Sequence, residues 1–466
     1  MYITRYIVEH FNNSTKMLIN TLTGSILHLT NDDYKSYNIL KTNIEYDCNF
    51  KAKLIAENFL FNNDVDEKNL INGIKNNIEK YSIEEDYTVY VIYITYDCNI
   101  RCNYCCYNYL KLNTEVISCN SMDSIFYAIQ KLQEYSNRKK SRICLFGGEP
   151  LMRKNINIIS SFFEKMQKHI QKESSIGRLC ELMIFTNAVE LPFYTELLSQ
   201  NKSIINKILI TLLGNRHVND QRRKHFDGSG TFYEVVEGIE VALKIGIPVW
   251  AVTNIDKKNV DEIPKIIDLV KQRGWNNNDF FSGYYVGRIK YYKNVDNTTI
   301  SESELLLKAS EFVKNDEIAA KVLNFGDMRN LKSILHLVNQ DVKYYQKFYA
   351  CASGNLQQYS FGSDNLIYTC SGAMGIKEYS IGEYFPSFRL KKNKIHFWTD
   401  RNVLSMNKCM QCKFAFLCGG GCYYAAKVLN GSIMNPYCTD IESLLHIYID
   451  CKQQGININY KDLLRD

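Results

Sequence analysis

The chain has 466 residues, of which 45% are hydrophobic and 23% charged, and its formal net charge is +6. This length and composition predict a globular protein of two or three domains. Because the charge is mild and no dense lysine or arginine tract occurs, we expect no nucleic-acid partner. No apolar run reaches about 18 residues, and Arg5, Glu9 and His10 interrupt the amino terminus. We therefore expect no membrane span, no signal peptide and a cytoplasmic location.

Sixteen cysteines are the unusual feature of the composition. The cytoplasm keeps thiols reduced, so this number favours thiolate metal ligands over disulfides. Only eight histidines occur, which disfavours metal sites built mainly from imidazole.

Residues 1–85 are predicted to form a small separate domain. Three strand-like stretches and two helical patterns cover, in order, 2–8, 16–20, 24–30, 32–41 and 51–61. This order indicates a winged-helix-like unit with a free sheet edge. Two interpretations stay open, a structural cap on the next domain or a docking edge where an extended peptide adds a strand.

Residues 86–300 alternate β-rich runs with amphipathic helical patterns. Six strands are predicted at 87–97, 141–146, 180–185, 207–212, 247–255 and 279–286. Repeated strand-helix units predict a parallel sheet. Six units are fewer than the eight of a full barrel, so we expect a partial (β/α)6 TIM-like barrel.

Three cysteines, Cys98, Cys102 and Cys105, follow the first of these strands with the spacing C-x3-C-x2-C. In strand-helix barrels the chemistry takes place at the carboxyl ends of the strands. Three thiolates would leave one iron of a four-iron cluster without a protein ligand, which suits an exchangeable substrate or cofactor. A structural zinc half-site and three unrelated core thiols are the alternatives.

Two further segments follow the barrel. Residues 301–350 are predicted to be a helical bridge that opens with a capping box from Ser301 to Glu304. Residues 351–466 contain eight cysteines, and the seven from Cys351 to Cys438 accompany a Gly419–Gly421 run, whose flexible backbone suits close approach to a bulky cluster. Seven thiols exceed one tetrahedral zinc site, although zinc stays an alternative. They are Cys351, Cys370, Cys409, Cys412, Cys418, Cys422 and Cys438.

The triplet resembles the C-x3-C-x2-C motif of radical S-adenosylmethionine enzymes, and Tyr104 occupies the aromatic position before the third cysteine. A glycine-rich motif of the same family follows the second strand as Gly147, Gly148, Glu149 and Pro150. The resemblance covers residues 87–440. It implies that S-adenosylmethionine binds a 4Fe-4S cluster held by the triplet, and that Glu149 accepts hydrogen bonds from the cofactor's ammonium group.

Weaker similarities follow along the barrel. Residues 210–223 resemble a family segment that implies contacts from Thr211 and Arg223 to the ribose and carboxylate of the cofactor, although Leu213 and Asn219 replace its usual aspartate and histidine. Residues 228–232 also match a family motif. Thr186 and Asn187 resemble the family's Thr-Asn-Gly, with Ala188 in place of glycine.

The carboxyl region resembles the SPASM extension of these enzymes, which implies two auxiliary 4Fe-4S clusters. Cys409, Cys412, Cys418 and Cys438 would ligate the outer one, and Cys351, Cys370 and Cys422 the inner one. In this pattern Asn365 replaces a glycine, which a left-handed turn would tolerate. No fourth cysteine is evident for the inner cluster, and Gln357 or a neighbour stands where some relatives have one. We therefore expect an open inner site.

The resemblance implies an α/β enzyme with three parts: a peptide-recognition domain, the partial barrel and a SPASM domain. An external one-electron donor such as flavodoxin or ferredoxin would reduce the first cluster. S-adenosylmethionine would then yield a 5'-deoxyadenosyl radical that abstracts a hydrogen atom. We expect an oxidoreductase that matures a ribosomally made precursor peptide, with thioether formation from cysteine sulfur to carbon favoured. The alternatives are formylglycine formation in a sulfatase, peptide epimerisation and carbon-carbon crosslinking.

Overall fold

The structure is a computed structural model that describes residues 1–12, 15–84, 87–105, 107, 112, 114–136, 138–289, 298–340 and 343–461. The chain divides into two compact units, each assembled from segments far apart in sequence. The first unit comprises Met1–Ser82, Arg329–Gly354 and Asp400–Gln454. The second unit comprises Ile83–Met328, Asn355–Thr399 and Gly455–Asp466. The division into four consecutive domains stays a prediction.

The strands in the described residues are β1 (Tyr2–Ile3), β2 (Ile7–Phe11), β3 (Lys16–Asn20), β4 (Ile26–His28), β5 (Leu60–Phe61), β6 (Tyr87–Tyr93), β7 (Arg101–Cys102), β8 (Lys140–Phe146), β9 (Leu179–Thr186), β10 (Ile205–Thr211), β11 (Arg223–Lys224), β12 (Val249–Ile255), β13 (Phe281–Arg288), β14 (Leu323–Asn324), β15 (Gln358–Phe361), β16 (Leu366–Tyr368), β17 (Gly382–Glu383) and β18 (Arg389–Leu390).

The α-helices in the same residues are α1 (Asn31–Thr42), α2 (Asn49–Ala56), α3 (Asp64–Glu84), α4 (Cys119–Ser136), α5 (Ile156–Ser175), α6 (Thr195–Asn201), α7 (Arg216–Arg222), α8 (Phe232–Ile245), α9 (Ile263–Gln272), α10 (Glu302–Asn315), α11 (Glu317–Val322), α12 (Arg329–Val338), α13 (Lys392–Thr399), α14 (Asn407–Met410), α15 (Ala415–Cys418), α16 (Tyr423–Asn430) and α17 (Ile441–Gln453). None of them is long and apolar enough to cross a membrane.

The second unit is built on one large mixed sheet. Its strand order is β14-β13-β12-β10-β9-β8-β6-β15-β16-β17-β18. The six predicted strands correspond to β6, β8, β9, β10, β12 and β13, which pair in parallel in that order of the chain. The predicted partial TIM-like α/β barrel is therefore confirmed. Strands β15 to β18 extend the sheet beyond β6, which the sequence did not indicate.

Helices and strands of the second unit bury the apolar faces that the sequence pattern predicts. In α9, Ile263, Ile266, Ile267 and Val270 are buried, and Gly274 follows the helix with a left-handed φ of 67°. The capping box at Ser301 is present at the start of α10, where its side chain accepts from the Glu304 backbone. The first strand ends at Tyr93 rather than at Asp97, because the carbonyls of Thr95 and Asp97 accept from Gly148 and Glu149 instead.

The first unit contains an antiparallel sheet of order β2-β3-β4 followed by α1 and α2. The predicted second helical pattern, at 51–61, is wrong at its end: α2 stops at Ala56, and Asn58 takes a left-handed φ of 58°. Residues Leu60–Phe61 then form β5, which pairs with β1. Buried residues from both ends of the chain, including Tyr6, Phe348 and Phe416, form one core cluster in this unit.

Candidate active site at the carboxyl ends of the parallel strands

A cavity of about 1500 Å³ lies in the second unit, where the parallel strands end. The predicted cofactor-binding residues line it, with the exception of Pro150, and so does the cysteine triplet. The lining includes Cys98, Cys102, Tyr104, Cys105, Gly147, Gly148, Glu149, Thr186, Asn187, Thr211 and Arg223. The sheet therefore brings together residues that are up to about 125 positions apart in the chain.

A short ribbon positions the triplet. Strands β7 and β11 pair antiparallel, so that Cys102 lies opposite Arg223. The backbone N–H of Cys105 donates to the Cys102 carbonyl at 3.1 Å, which closes a tight turn. Burial, and next the Glu149 carboxylate, raise the pKa of Cys98 to about 12. Burial also raises the pKa of Cys102, while Arg223 lowers it. Without metal these thiols are protonated, so metal binding must release protons.

Gly147 and Gly148 let the backbone after β8 approach the segment that leads into the cysteine triplet. A β-carbon on Gly148 would collide with the Asp97 carbonyl oxygen, and one on Gly147 would come within 2.6 Å of the Thr95 carbonyl oxygen. The backbone N–H groups of Gly148 and Glu149 donate to these carbonyls at 3.0 and 2.8 Å. The glycines are therefore needed for backbone contact. Pro150 lies behind the turn, where its carbonyl accepts from Asn155 at 3.0 Å.

Glu149 is a buried carboxylate with 1% of its surface exposed. It accepts hydrogen bonds from the Thr186 hydroxyl at 2.6 Å, the Asn187 backbone at 2.5 Å and the Leu151 backbone at 2.8 Å. Burial nevertheless raises its pKa to about 7, while these hydrogen bonds and Arg223 oppose the shift. A carboxylate offers about four acceptor positions, so one position is left for a ligand.

Arg223 is 3% exposed and lies in the same cavity. Its Nη1 donates to the Tyr104 hydroxyl at 3.2 Å. Its Nε and Nη2 are buried and have no hydrogen-bond partner in the described residues. Buried donors of a charged group are costly when unpaired. The cavity therefore presents an unused guanidinium edge that suits a carboxylate.

Thr186 and Asn187 lie at the end of β9, as predicted, but they contact protein groups. Besides bonding Glu149, Asn187 donates from Nδ2 to the Asn99 side chain at 2.7 Å and to the Cys98 sulfur at 3.7 Å. Ala188 takes a left-handed φ of 64°, which explains why the corresponding family position is glycine. We therefore assign Thr186 and Asn187 to holding Glu149 and Cys98 in place.

Thr211 ends β10 and lines the cavity. Asn219, which replaces a family histidine, is fully buried and donates to the Thr231 hydroxyl at 3.1 Å. Its carbonyl oxygen accepts from the Leu213 backbone at 3.4 Å. An amide therefore ties this loop together, and neither of the two substituted positions, Leu213 and Asn219, carries a charge.

Sequence reasoning missed several polar residues of the cavity, among them Asn254, Arg222 and Asp256. Asn254 interacts with the Tyr104 hydroxyl, and Arg222 pairs with Asp256. A signal for Asn254 exists, because Thr253 and Asn254 near the end of β12 repeat the Thr-Asn pair that ends β9.

In the first unit, three left-handed glycines bring the carboxyl-region cysteines together. Gly419, Gly420 and Gly421 have φ of 72°, 83° and 74°. A β-carbon on Gly419 would lie 2.8 Å from the Ala350 backbone, next to Cys351, and one on Gly421 would collide with the Tyr437 carbonyl, next to Cys438. The glycine run therefore lets Cys418 and Cys422 approach cysteines from other segments.

Electrostatic interactions among these thiols separate them into two groups. Burial, and next the thiols of Cys418, Cys412 and Cys438, raise the pKa of Cys409 to about 11, while Arg401 opposes the shift. Burial and then Cys351 raise the pKa of Cys422. The assignment of these two groups to an outer and an inner cluster stays a prediction.

The structure also locates Cys370, Asn365 and the cysteines outside the proposed clusters. Cys370 falls in the second unit, whereas the other two inner ligands fall in the first. Asn365 has the left-handed φ of 65° that the missing glycine requires. Among the described residues, no three His, Cys, Asp or Glu side chains are arranged to hold a single metal ion. Of the cysteines outside the two groups and the triplet, Cys119 is exposed and Cys48 half-buried, while Cys144, Cys180 and Cys451 are buried. Cys106 lies outside the described residues.

A cysteine triplet, a buried carboxylate and an unpaired guanidinium around one cavity at the strand ends define a cofactor-dependent α/β enzyme of the barrel type. Residues 92–270 match the Radical SAM superfamily. The chain therefore contains a radical SAM domain, which implies S-adenosylmethionine and a 4Fe-4S cluster as cofactors.

Curated relatives include two kinds of enzyme. A GTP 3',8-cyclase of Clostridium perfringens is 27% identical over 239 residues, which span 51% of this chain and 67% of the relative. A serine-type anaerobic sulfatase-maturating enzyme of Bacteroides thetaiotaomicron is 21% identical over 379 residues, spanning 70% of this chain and 80% of the relative.

Solved structures share the fold over a larger part of the chain. The structure of anSMEcpe with bound AdoMet and a Kp18Cys peptide has a TM-score of 0.59 and 17% identity, and covers 79% of this chain and 99% of that one. Streptococcus suis SuiB bound to its precursor peptide SuiA has a TM-score of 0.52 and 14% identity, and covers 94% of this chain and 99% of that one. At these identities the likeness concerns the fold.

Proposed function

We propose that this chain is a radical SAM maturase that modifies a ribosomally made precursor peptide, forming a thioether between a cysteine sulfur and a carbon. The observation on which this proposal rests is the small antiparallel sheet of the first unit, which offers outer strands to an extended peptide. The breadth of the likeness to a peptide-bound SuiB, over 94% of this chain, supports it.

The backbone hydrogen bonds show which N–H and C=O groups of the outer strand β4 point away from its neighbour β3. The Leu29 N–H donates to the Lys16 carbonyl and the Asn20 N–H to the Ser25 carbonyl. In the same register Leu18 pairs with Leu27, and Met17 with His28. Because hydrogen-bonded and non-hydrogen-bonded pairs alternate in an antiparallel ladder, His28 and Ile26 direct their backbone N–H and C=O away from β3. A peptide strand would pair with these two residues.

The cavity fits the cofactors. Cys98, Cys102 and Cys105 would ligate the first cluster, Glu149 would accept from the ammonium group of S-adenosylmethionine, and Arg223 would donate to its carboxylate. The cluster and cofactor, when bound, supply one-electron cleavage to a radical that takes a hydrogen atom from the peptide. Thioether formation also releases one proton and one electron, and the auxiliary clusters proposed at the other cysteines would accept that electron.

The aromatic wall of the cavity would exclude water from the reacting carbon. Tyr93, Tyr96 and Phe146 line it, and Tyr93 packs against both other rings at centroid distances of 5.7 and 5.2 Å. A packed aromatic surface keeps water away from a reactive carbon.

The mass of the peptide product and the number of its thiols that can be alkylated distinguish the candidate reactions. The reconstituted enzyme is incubated anaerobically with S-adenosylmethionine, a reductant and a cysteine-containing precursor peptide encoded beside its gene, with GTP as a small-molecule control. A thioether removes two hydrogens from the peptide and blocks alkylation of one thiol. A peptide recovered unchanged, with 5'-deoxyadenosine still formed, would contradict the proposal.

The outer strand is tested with His28→Pro. Proline removes only the outward N–H of β4, since His28 is exposed and does not bond β3 through its backbone N–H. We expect at least about tenfold weaker peptide binding by fluorescence anisotropy, roughly 1.4 kcal/mol, with 5'-deoxyadenosine formation retained. His28→Thr keeps the N–H and is the matched control. Equal peptide affinity of all three proteins would exclude β4 as the docking edge.

Formylglycine formation is the second candidate, because the sulfatase-maturating relative spans 70% of this chain. From a cysteine it exchanges the sulfur for oxygen and removes two hydrogens, which the same mass measurement detects; from a serine it removes two hydrogens and leaves every thiol free to be alkylated. Epimerisation leaves the mass unchanged, and carbon-carbon crosslinking leaves the thiol free to be alkylated.

A further inference from the structure

Arg401 is a fully buried cation in the first unit, with 0% of its surface exposed. Its guanidinium donates to the carbonyls of Gly420 at 2.6 Å, Gly421 at 3.0 Å and Ile433. It also packs on the Tyr423 ring, 4.3 Å from the centroid. All of these partners are uncharged.

No carboxylate pairs with Arg401 in the part of the chain that the structure describes, where its contacts are those to the three carbonyls and the ring. Burying a charge without an opposite charge is strongly unfavourable. Hydrogen bonds to carbonyls satisfy the N–H groups but leave the positive charge uncompensated. The fold therefore needs an anion nearby.

A thiol is the ionisable group beside it. The Cys409 sulfur lies 3.5 Å, and Arg401 Nη2 3.6 Å, from the position that a β-carbon on Gly420 would occupy. The Arg401 guanidinium and the Cys409 thiol therefore border the same small space beside Gly420, where a β-carbon would collide with Met406 Cε. Cys409 belongs to the group with Cys412, Cys418 and Cys438.

We propose that Arg401 is the counter-charge of the metal site formed by Cys409, Cys412, Cys418 and Cys438, and that it raises the reduction potential of an iron-sulfur cluster held there. This inference rests on the auxiliary clusters of the proposed function. A site of four thiolates is net negative when loaded, and a cluster gains one more negative charge on reduction. A buried cation beside it stabilises the reduced form more than the oxidised form.

The carbonyl contacts give Arg401 a second, separable role. Gly420 and Gly421 lie between Cys418 and Cys422, so the guanidinium also fixes the turn that connects the two ligand groups. Arg401→Gln removes the charge and keeps an amide donor. Arg401→Lys keeps the charge and loses the three-carbonyl fork. The pair of variants therefore separates charge from positioning.

The test uses the full chain carrying Cys98→Ala, Cys102→Ala and Cys105→Ala, so that only auxiliary clusters contribute after anaerobic reconstitution. Midpoint potentials come from redox titrations followed by electron paramagnetic resonance, and iron is quantified in parallel. We expect Arg401→Gln to make reduction about tenfold less favourable, a shift of about 59 mV to lower potential. Arg401→Lys should keep a potential near the parent's and lose iron more readily to a chelator.

Arg389→Gln is the control, because Arg389 is 70% exposed and pairs with Glu383. An unchanged potential in Arg401→Gln at full iron content would overturn the inference and leave peptide maturation by the intact enzyme unaffected. If Arg401→Gln does not fold, Arg401→Lys is measured alone. A midpoint potential of Arg401→Lys about 59 mV below the parent's would then overturn the inference. A parent that binds no auxiliary iron would overturn both this inference and the auxiliary clusters.

Discussion

Glu149 and Arg223 give the cavity two opposite charges that match the two ends of an amino acid. Glu149 keeps one acceptor position after its three hydrogen bonds, and Arg223 keeps two buried N–H groups. Each of them is held by neighbours: Thr186 and Asn187 fix the carboxylate, and Tyr104 fixes the guanidinium. The methionine part of S-adenosylmethionine would satisfy both groups at once.

Glu149→Gln tests the anionic side. The amide keeps the size of the side chain but cannot pair with an ammonium, and it presents N–H to a site built from donors. We expect S-adenosylmethionine binding to weaken at least about tenfold, since hydrogen bonds to charged groups contribute about 1.5 to 3 kcal/mol. Equilibrium dialysis with the reconstituted protein measures the change.

Thr186→Ser is the matched control, because serine retains the hydroxyl that donates to Glu149. Its affinity for the cofactor should stay within about twofold of the unmodified protein's, which is a smaller change in binding free energy than the loss of one hydrogen bond. Unaltered affinity in Glu149→Gln would remove Glu149 from the binding site.

At the scale of elements, the buried His10 and the half-buried His446 join strand β2 to helix α17 within the first unit. The Nδ1 atoms of His10 and His446 lie 2.7 Å apart, so one must donate and the other must accept. Burial is the main cause that lowers the pKa of both rings. For His10, the His446 ring lowers the pKa further and Asp450 opposes the shift. For His446, Lys413 lowers the pKa further, while Glu442 and Asp450 oppose the shift. Protonation of both rings would place two donors face to face.

Acid should therefore weaken the first unit through this pair. Because both pKa values are lower in the folded state, the unfolded chain binds more protons below the ordinary histidine pKa, and stability falls as pH decreases from about 7 towards 5. One such proton contributes at most about 1.4 kcal/mol per pH unit. Thermal unfolding of the metal-free protein at several pH values measures this dependence.

His10→Gln should make that pH dependence shallower, since glutamine can still bond His446 without titrating. His28→Thr serves as the comparison, because His28 is exposed. The same slope in both variants would show that the histidine pair does not control acid stability.

Over the whole molecule, sequence patterns predicted the strands and motifs that depend on neighbouring residues. They missed the strand pairings and contacts that depend on residues far apart in the chain. The six parallel strands were predicted because each is a short β-rich run between amphipathic helices. The addition of β15 beside β6 was not, since nothing in Gln358–Phe361 specifies its distant partner. Helix α3 was also missed, although Leu70, Ile71 and Ile74 form a short apolar stripe that packs on the core of the first unit. Motif spacing placed Glu149 in the site, but only the fold assigns Thr186 to Glu149 and Arg401 to Cys409.

The two cysteine-rich regions should make separable contributions to iron content and to catalysis. Cys98 lies in the cavity of the second unit beside Glu149, whereas Cys409 lies in the first unit. If each proposed 4Fe-4S cluster is lost with one of its ligands, Cys98→Ala and Cys409→Ala should each remove about a third of the iron. Only Cys98→Ala should abolish 5'-deoxyadenosine formation, while Cys409→Ala should lose peptide product and retain cofactor cleavage.

Iron, sulfide and zinc are quantified for both proteins after anaerobic reconstitution, together with 5'-deoxyadenosine and modified peptide. Cys119→Ala is the control, because Cys119 is exposed at the start of α4 and should leave every quantity unchanged. Zinc in place of iron at the later cysteines would replace the auxiliary clusters by a structural site. Equal loss of cofactor cleavage in Cys98→Ala and Cys409→Ala would mean that the two regions act as one centre, because an acceptor that takes the electron after the peptide has reacted is not needed for the first cleavage.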